Sequence, residues 1–295
     1  MAVAGRPNVG KSTLLNGLVG AKVAVVSDKS QTTRRAIRGI VNGEQHGEPF
    51  QLVLVDLPGF QQPRDALTER MQRRVDRELG DSDAALFVLN GAERSAGGDR
   101  YIADALKRSG VPVVLAVNKT DLLDRAQTAK ALADAAAREQ EGLDLRAVVP
   151  VSALHGAGID PLKRELAALL PEGPAYFPAE EVSDQPREIE FAELIREQAL
   201  RRTREEVPHS IEVRIEEIAE RARLTIVRAV LWVETESQKG ILIGAGGAMI
   251  RAIGTAARRE LQRRLDGRVH LDLTVQVRRA WRRDDSLLDR LGIDP

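Results

Sequence analysis

Apolar residues along this chain follow two different rhythms. From about residue 50 to residue 153, short and nearly continuous hydrophobic runs alternate with longer polar or alanine-rich stretches. "LVLVDLPG" (52–59), "AALFVLN" (84–90), "VPVVLAVNKTD" (111–121) and "AVVPVSA" (147–153) are the runs. Strands of that kind suit a sheet covered on both faces. Between them, "RDALTERMQRRVDREL" (64–79) and "GDRYIADALKRSG" (98–110) carry apolar positions at helical spacing, and "DPLKRELAALL" follows the last run. This is α/β grammar, which places sites in the turns between strand ends and helices.

"PEGPAYFPAEEVSDQPRE" (171–188) breaks the rhythm with proline and charge and reads as a linker. Beyond it the pattern changes. "IEFAELIREQALRRT" (189–203) is apolar at every third or fourth residue, while "SIEVRIEEIAE" (210–220) and "LTIVRAVLWVE" (224–234) read as strands. A short helical piece then ends in the glycines of "ILIGAGGAMIRAIG" (241–254), a longer helix runs to about Leu265, and a strand covers 269–281. The second half is therefore α-β-β-α-α-β. The expected domains are 1–170, a linker at 171–188, and 189–295.

Composition adds exclusions. With 3% aromatic residues the core must rest on Leu, Ile, Val and Ala, and the absence of cysteine removes disulfides, thiolate metal sites and cysteine nucleophiles. No apolar run approaches the length needed to cross a bilayer, so a soluble, cytoplasmic protein is expected, with contact at a membrane surface left open. The net charge of zero hides an uneven distribution. From Lys239 to Arg283, eleven Lys and Arg face three acids, the mark of an anionic partner. The four histidines show no metal spacing.

"GRPNVGKS" (5–12) fits G-x-x-x-x-G-K-[ST] completely. Such a loop curls backbone amides around phosphates, its lysine reaches the β and γ oxygens, and its hydroxyl takes a Mg²⁺ position. The phosphate-binding candidates are Gly5, Arg6, Pro7, Asn8, Val9, Gly10, Lys11, Ser12 and Thr13. "DLPG" (56–59) closes a strand, offering Asp56 to Mg²⁺ and the Gly59 amide to the terminal phosphate. "NKTD" (118–121) closes another: the Asp121 carboxylate can accept two hydrogens from the guanine edge, which adenine cannot supply. Asn118 would orient the base and the Lys119 stem cover it. "SAL" puts Ser152, Ala153 and Leu154 near the same base. The competing readings, a glycine turn with a surface lysine or an ATP-using enzyme, fit this ordered set poorly.

Here the chain resembles the translation-factor-like GTPases and, within them, the Era family. "GRPNVGKSTLLNGLVG", "SDKSQTTRR", "DLPG", "NKTD" and "SAL" stand where that family's nucleotide motifs stand. The resemblance implies GTP and GDP as ligands, Mg²⁺ held by Ser12, Thr33 and Asp56, and hydrolysis resting on Lys11, Thr33 and Gly59, at a slow basal rate. Thr33 would be the switch threonine, and Thr32 is its less favoured neighbour. Small GTPases carry a glutamine just after the DxxG glycine. Here that residue is Phe60, with Gln61 and Gln62 in slots that do not match. Related loops use the asparagine to hold a monovalent cation, which suggests a K⁺ ligand in Asn8; a turn-stabilising side chain is the alternative. Relatives carry a longer leader before the loop, so "MAVA" is expected to be a short central strand, or the start to be late.

Three readings meet at "IGAGG". A dinucleotide turn needs an acid at the end of the next strand, but Asp266 stands before that strand and Asp272 within it. A plain turn between packed helices is the second. The third, a K-homology (KH) module, joins two helices by a G-x-x-G loop whose backbone approaches four nucleotides, and α-β-β-α-α-β is its type II order. On that reading Lys239, Ile243, Gly244, Ala245, Gly246, Gly247, Met249, Ile250, Arg251 and Arg258 are the RNA-binding candidates. The wider basic set includes Arg259, Arg263 and Arg264, for which solvated helix surface is the alternative.

The Era resemblance carries such a module in this place. It implies 16S rRNA near its 3′ end and the small (30S) subunit as partners in subunit assembly, peripheral contact with the inner membrane, and a monomer. Most relatives have lysine at the first variable position of the loop, where this chain has Ala245, so weaker or less salt-sensitive RNA binding is expected. The expected fold is an α/β P-loop GTPase domain, with a mostly parallel sheet and helices on both faces, followed by an α+β type II KH domain.

Overall fold

The structure is a computed structural model that describes residues 1–26, 34–58, 65–93, 97–203 and 207–293, without the side chains of Pro208 and His209. Thr32, Thr33, Gly59, Phe60, Gln61 and Gln62 lie outside the described residues.

The first half runs β1 (Ala2–Ala4), α1 (Lys11–Val19), β2 (Ile37–Gln45), β3 (Glu48–Asp56), α2 (Ala66–Gly80), β4 (Ala85–Asn90), α3 (Gly97–Ser109), β5 (Val113–Asn118), α4 (Arg125–Ala136), β6 (Leu145–Pro150) and α5 (Ile159–Ala167). The six strands form one sheet in the order β2-β3-β1-β4-β5-β6. Only β2 is antiparallel, paired along its whole length with β3. Alternation along the strands divides the core in two. Val3, Leu86, Val88, Val114 and Ala116 pack under α1 and α5, against Leu14, Leu15, Leu18, Leu162 and Leu166. Ala2, Ala4, Phe87, Leu115 and Val117 face the other way, with α2 and α3 supplying Val75, Leu79, Ile102 and Leu106.

The hairpin β2–β3 is one element that the hydrophobic rhythm does not announce, since "IRGIVNGEQ" carries glycines and an asparagine. A Cβ at Gly39 would stand 2.7 Å from Val19, so the glycine answers the close approach of α1 rather than a break in the strand. The outer edge of β2 is covered by the segment expected to be a linker. Ile40 donates to Val182 O at 2.9 Å, and Gln51 accepts from the amides of Tyr176 and Phe177. Covering an open edge removes a template for pairing with another chain.

The second half runs α6 (Arg187–Arg202), α7 (Val207–Ser210), β7 (Glu212–Arg221), β8 (Leu224–Val233), α8 (Glu236–Ile243), α9 (Ala248–Leu265), β9 (Val269–Val277) and α10 (Asp285–Arg290). Its sheet has the order β7-β8-β9, with β8 antiparallel to β7 and parallel to β9. One face packs on α6 and α9 through Val227, Leu231, Ile195, Ile253 and Leu261. The other presents Val230 and Trp232, which join Trp281, Leu288, Leu291 and Ile293 with Leu67 and Met71 of α2. The strand expected to reach 281 stops at Val277 because Trp281 must turn inward, where its indole donates to Ser210 O at 3.0 Å. The chain's end thus fastens the second half to the first. Among the described residues no single helix is long and apolar enough to cross a membrane.

Candidate nucleotide site and nucleic-acid loop

The loop Gly5–Ser12 leaves β1 at the centre of the sheet and runs into the first turn of α1. Gly10 caps that helix with a left-handed backbone, φ 98°, and a Cβ there would stand 2.3 Å from Asn118 Nδ2. Glycine is therefore required twice over, for conformation and for space. Asn118 Nδ2 donates to Val9 O at 2.8 Å, and its Oδ1 accepts from Ala153 N at 3.0 Å. A single side chain at the end of β5 thus joins the loop, the NKTD turn and the SAL turn. Ser152 Oγ donates to Asp121 Oδ1 at 2.5 Å, and Lys119 holds a left-handed backbone at φ 65°. The Ser152 hydroxyl keeps the exposed Asp121 carboxyl below its ordinary range, outweighing the opposing effect of desolvation. Leu154 stands 73% exposed at the edge of this cluster.

Lys11 is buried, and its ammonium donates to Gly5 O at 2.9 Å and Arg6 O at 3.1 Å. Burial lowers its pKa, with Asp56 pulling the other way. A cation desolvated in this way gains from a nearby phosphate. Ser12 Oγ donates to Asp56 Oδ2 at 2.6 Å, which sets two hard oxygen groups side by side as Mg²⁺ requires. These features fit a nucleotide phosphate chain. Two loop residues have particular placements. Arg6 turns its side chain away from the loop, toward Asp99 and Glu93, so only its backbone belongs to the cradle. Asn8 is exposed with a left-handed φ of 64°.

At the second site, Thr235 caps α8 through a reciprocal pair of bonds with Gln238. The helix ends at Gly244, φ 71°, where a Cβ would stand 2.9 Å from the Met249 backbone nitrogen. Ala245 and Gly246 are exposed, and Gly247 opens α9. Ile243, Met249 and Ile250 are half-buried beside the loop, while Arg251 and Arg258 are exposed. Lys239 lies 4.0 Å from Glu236. The wider basic set is partly committed elsewhere: Arg263 pairs with Glu260 and Arg264 with Glu190, because acids one helical turn away or on α6 lie within reach.

Motif reading missed a third group. Arg34 and Arg35, directly behind the expected switch threonine, are buried in the second half. Arg34 Nη1 donates to Glu212 Oε2 at 2.8 Å and to Ile211 O; Arg35 Nη1 donates to Glu193 Oε1 at 2.6 Å. Arg196, fully buried, pairs with Glu193. Burial alone would raise the Glu212 pKa, but the guanidiniums of Arg35, Arg34 and Arg196 outweigh it and hold the carboxyl at about 2. Burial takes Arg34 down to about 10, still protonated at neutral pH, so its pair with Glu212 is ionised. Arg70 makes a second bridge, to Asp285 and Asp289. The available signal was "FAELIREQAL", a stretch buried at all ten positions although it contains Glu193, Arg196, Glu197 and Gln198. Charges on a helix buried all round must find partners.

Fold and sites together define a P-loop GTPase domain joined to a KH domain. The 50S ribosome-binding GTPase family matches residues 1–119 and the KH domain family residues 206–282. GTPase Era of Mycobacterium bovis is 44% identical over 99% of this chain and 97% of its own length. That of Heliobacterium modesticaldum is 40% identical over 100% and 96%. The crystal structure of an Aquifex aeolicus Era variant bound to GDP·AlF₄⁻ is 34% identical and superposes with a TM-score of 0.93, covering 100% of this chain and 98% of that one. An Era structure in complex with MgGDPNP and nucleotides 1506–1542 of 16S ribosomal RNA is 35% identical over the same shares, also at 0.93. The chain belongs to the Era family of GTPases.

Proposed function

We propose that this GTPase is a switch that binds 16S rRNA near its 3′ end through the KH domain and assists assembly and maturation of the small (30S) ribosomal subunit. One observation carries the switching part. Arg34 and Arg35 directly follow the expected switch threonine, Thr33, and end in buried ion pairs with Glu212 and Glu193 of the RNA-binding half. An element that both sites touch is the physical requirement for coupling between them. The RNA part is supported by the exposed G-x-x-G loop and by the relative that holds nucleotides 1506–1542.

In this reading Asp121 selects guanine, with Asn118, Lys119, Ser152, Ala153 and Leu154 framing the base. Lys11 and the loop amides hold the phosphates. Ser12, Asp56 and Thr33 hold Mg²⁺, which neutralises charge on the β- and γ-phosphates. Asn8 adds a K⁺ ligand. The protein works as a monomer in the cytoplasm, with peripheral contact at the inner membrane. Crosslinking to 30S subunits in GTP-analogue and GDP states tests target and switching together. The expected contacts lie near the 3′ end of 16S rRNA and differ between the two states. Contacts elsewhere refute the target, and identical maps refute the switch.

A further inference from the structure

Arg6, the second residue of the phosphate loop, has a backbone that serves the site and a side chain that does not. Its carbonyl, with that of Gly5, accepts the Lys11 ammonium. Its guanidinium leaves the loop, Nε donating to Asp99 Oδ1 at 2.8 Å and Nη2 to Glu93 Oε2 at 3.1 Å. Asp99 belongs to α3 and is 1% exposed; a carboxylate is seldom buried to that degree without a partner. Glu93 accepts from Asn90 Nδ2 at 2.6 Å, and Asn90 Oδ1 accepts from Ala92 N at 3.1 Å. The Arg6 stem lies across Gly98, where a Cβ would come within 2.9 Å of Arg6 Cδ. The arginine is held at its guanidinium by Asp99 and Glu93, with Gly98 packed against its stem.

We propose that Asp99 is a positioning residue for the nucleotide site, fixing the phosphate loop through Arg6, with Glu93 and Asn90 forming a weaker outer anchor. The inference rests on reading residues 5–12 as the GTP-binding loop. A loop held in its bound shape pays less ordering entropy when phosphates arrive. Because the Arg6 guanidinium is spent on Asp99 and Glu93 and acts only through the loop backbone, the anchor supports GDP and GTP alike. Loss of such uniform binding raises KM and leaves kcat nearly unchanged.

The test uses the full chain and fluorescent guanine nucleotides, with steady-state hydrolysis measured in parallel. Asp99→Asn keeps the shape and one acceptor but removes the charge. It is expected to weaken both GDP and GTP binding, and to raise KM, by about tenfold, with kcat within about twofold. Glu93→Gln, on the exposed side, is expected to change affinity by no more than about twofold. The double variant Arg6→Gln, Asp99→Asn leaves no unpaired buried charge, so it tests the clamp even where a single variant folds poorly. With Arg6→Gln measured alone to complete the cycle, the double variant is expected to bind no more weakly than the weaker of Arg6→Gln and Asp99→Asn, as members of one unit do. Native-like affinity in Asp99→Asn, a fall in kcat at constant KM, or additive losses in the double variant would each overturn the clamp. Failure of the unmodified protein to bind GDP would instead overturn the reading of the loop.

Discussion

The two glycine loops of this chain are built on opposite principles. Gly5–Ser12 is tied down by side chains: Lys11 reaches back to its carbonyls, Asn118 bridges Val9 and Ala153, and Arg6 is drawn to Asp99. The loop at 244–247 is held mainly by its own backbone, with Gly247 donating to Gly244 O at 3.0 Å, and it turns Ala245 and Gly246 to solvent. The first arrangement suits a compact polyanion, whose charge is met by groups that need not reorganise. The second suits a strand of nucleic acid, which needs an unobstructed backbone to lie against. Affinity at one site therefore depends on side chains that fix the loop, and at the other on a loop backbone left open between basic neighbours.

The largest expected effect breaks the first site. Lys11→Ala should lower GTP turnover by roughly 10²–10³-fold, as loss of a preorganised charge-stabilising donor does; phosphate release measures it, and a loss below tenfold would mean the buried ammonium is not at the phosphates. The joint between the two sites comes next. Glu212→Gln leaves Arg34, Arg35 and Arg196 short of a buried carboxylate and should cost about 3 kcal/mol of stability in a denaturant melt. Because the folded pKa of Glu212 is depressed, to about 2 from an ordinary 4.5, its contribution is complete above about 4.5 and lost as pH falls toward 2. A shallower acid-denaturation slope in the variant is the matching readout.

Asp121→Ala should weaken GTP binding by about 10–100-fold, the worth of charged hydrogen bonds to the base, while leaving ATP binding alone. Since the Asp121 pKa lies below its ordinary 3.8, the native preference for GTP over ATP should stay flat as pH falls from about 8 to about 5. A smaller change is expected at the second loop. Gly244→Ala forces a Cβ onto the Met249 backbone at positive φ and should cost about 1–3 kcal/mol of local strain, read as weaker RNA binding in a filter assay. Smallest is Ala245→Lys, which should tighten RNA binding modestly and steepen the salt dependence by about one unit of slope. An unchanged slope would show that no phosphate passes that position.

Legibility differed between the two halves for a physical reason. The nucleotide motifs are local: each needs a few residue types at fixed spacing at a strand end, so "GRPNVGKS", "NKTD" and "SAL" were readable before any contact was known. Their convergence through Asn118 followed from strand order. Spacing identifies Arg6 as part of the loop but cannot show that Asp99, 93 residues on, draws its side chain away. The same limit hid β2, whose glycines look like a break until α1 is seen packed against Gly39.

By itself, then, the amino-acid order determined the two element rhythms, the phosphate-loop and NKTD motifs and the G-x-x-G loop, because periodicity and short motifs are properties of neighbouring residues. Only the tertiary structure decided that residues 176–184 cover the sheet edge, that Trp281 and α10 fasten the two halves, and that Arg34 and Arg35, behind the expected switch threonine, pair with Glu212 and Glu193. Those are partnerships between residues far apart in the chain. A buried charge carries no sign in the sequence of which distant charge will neutralise it.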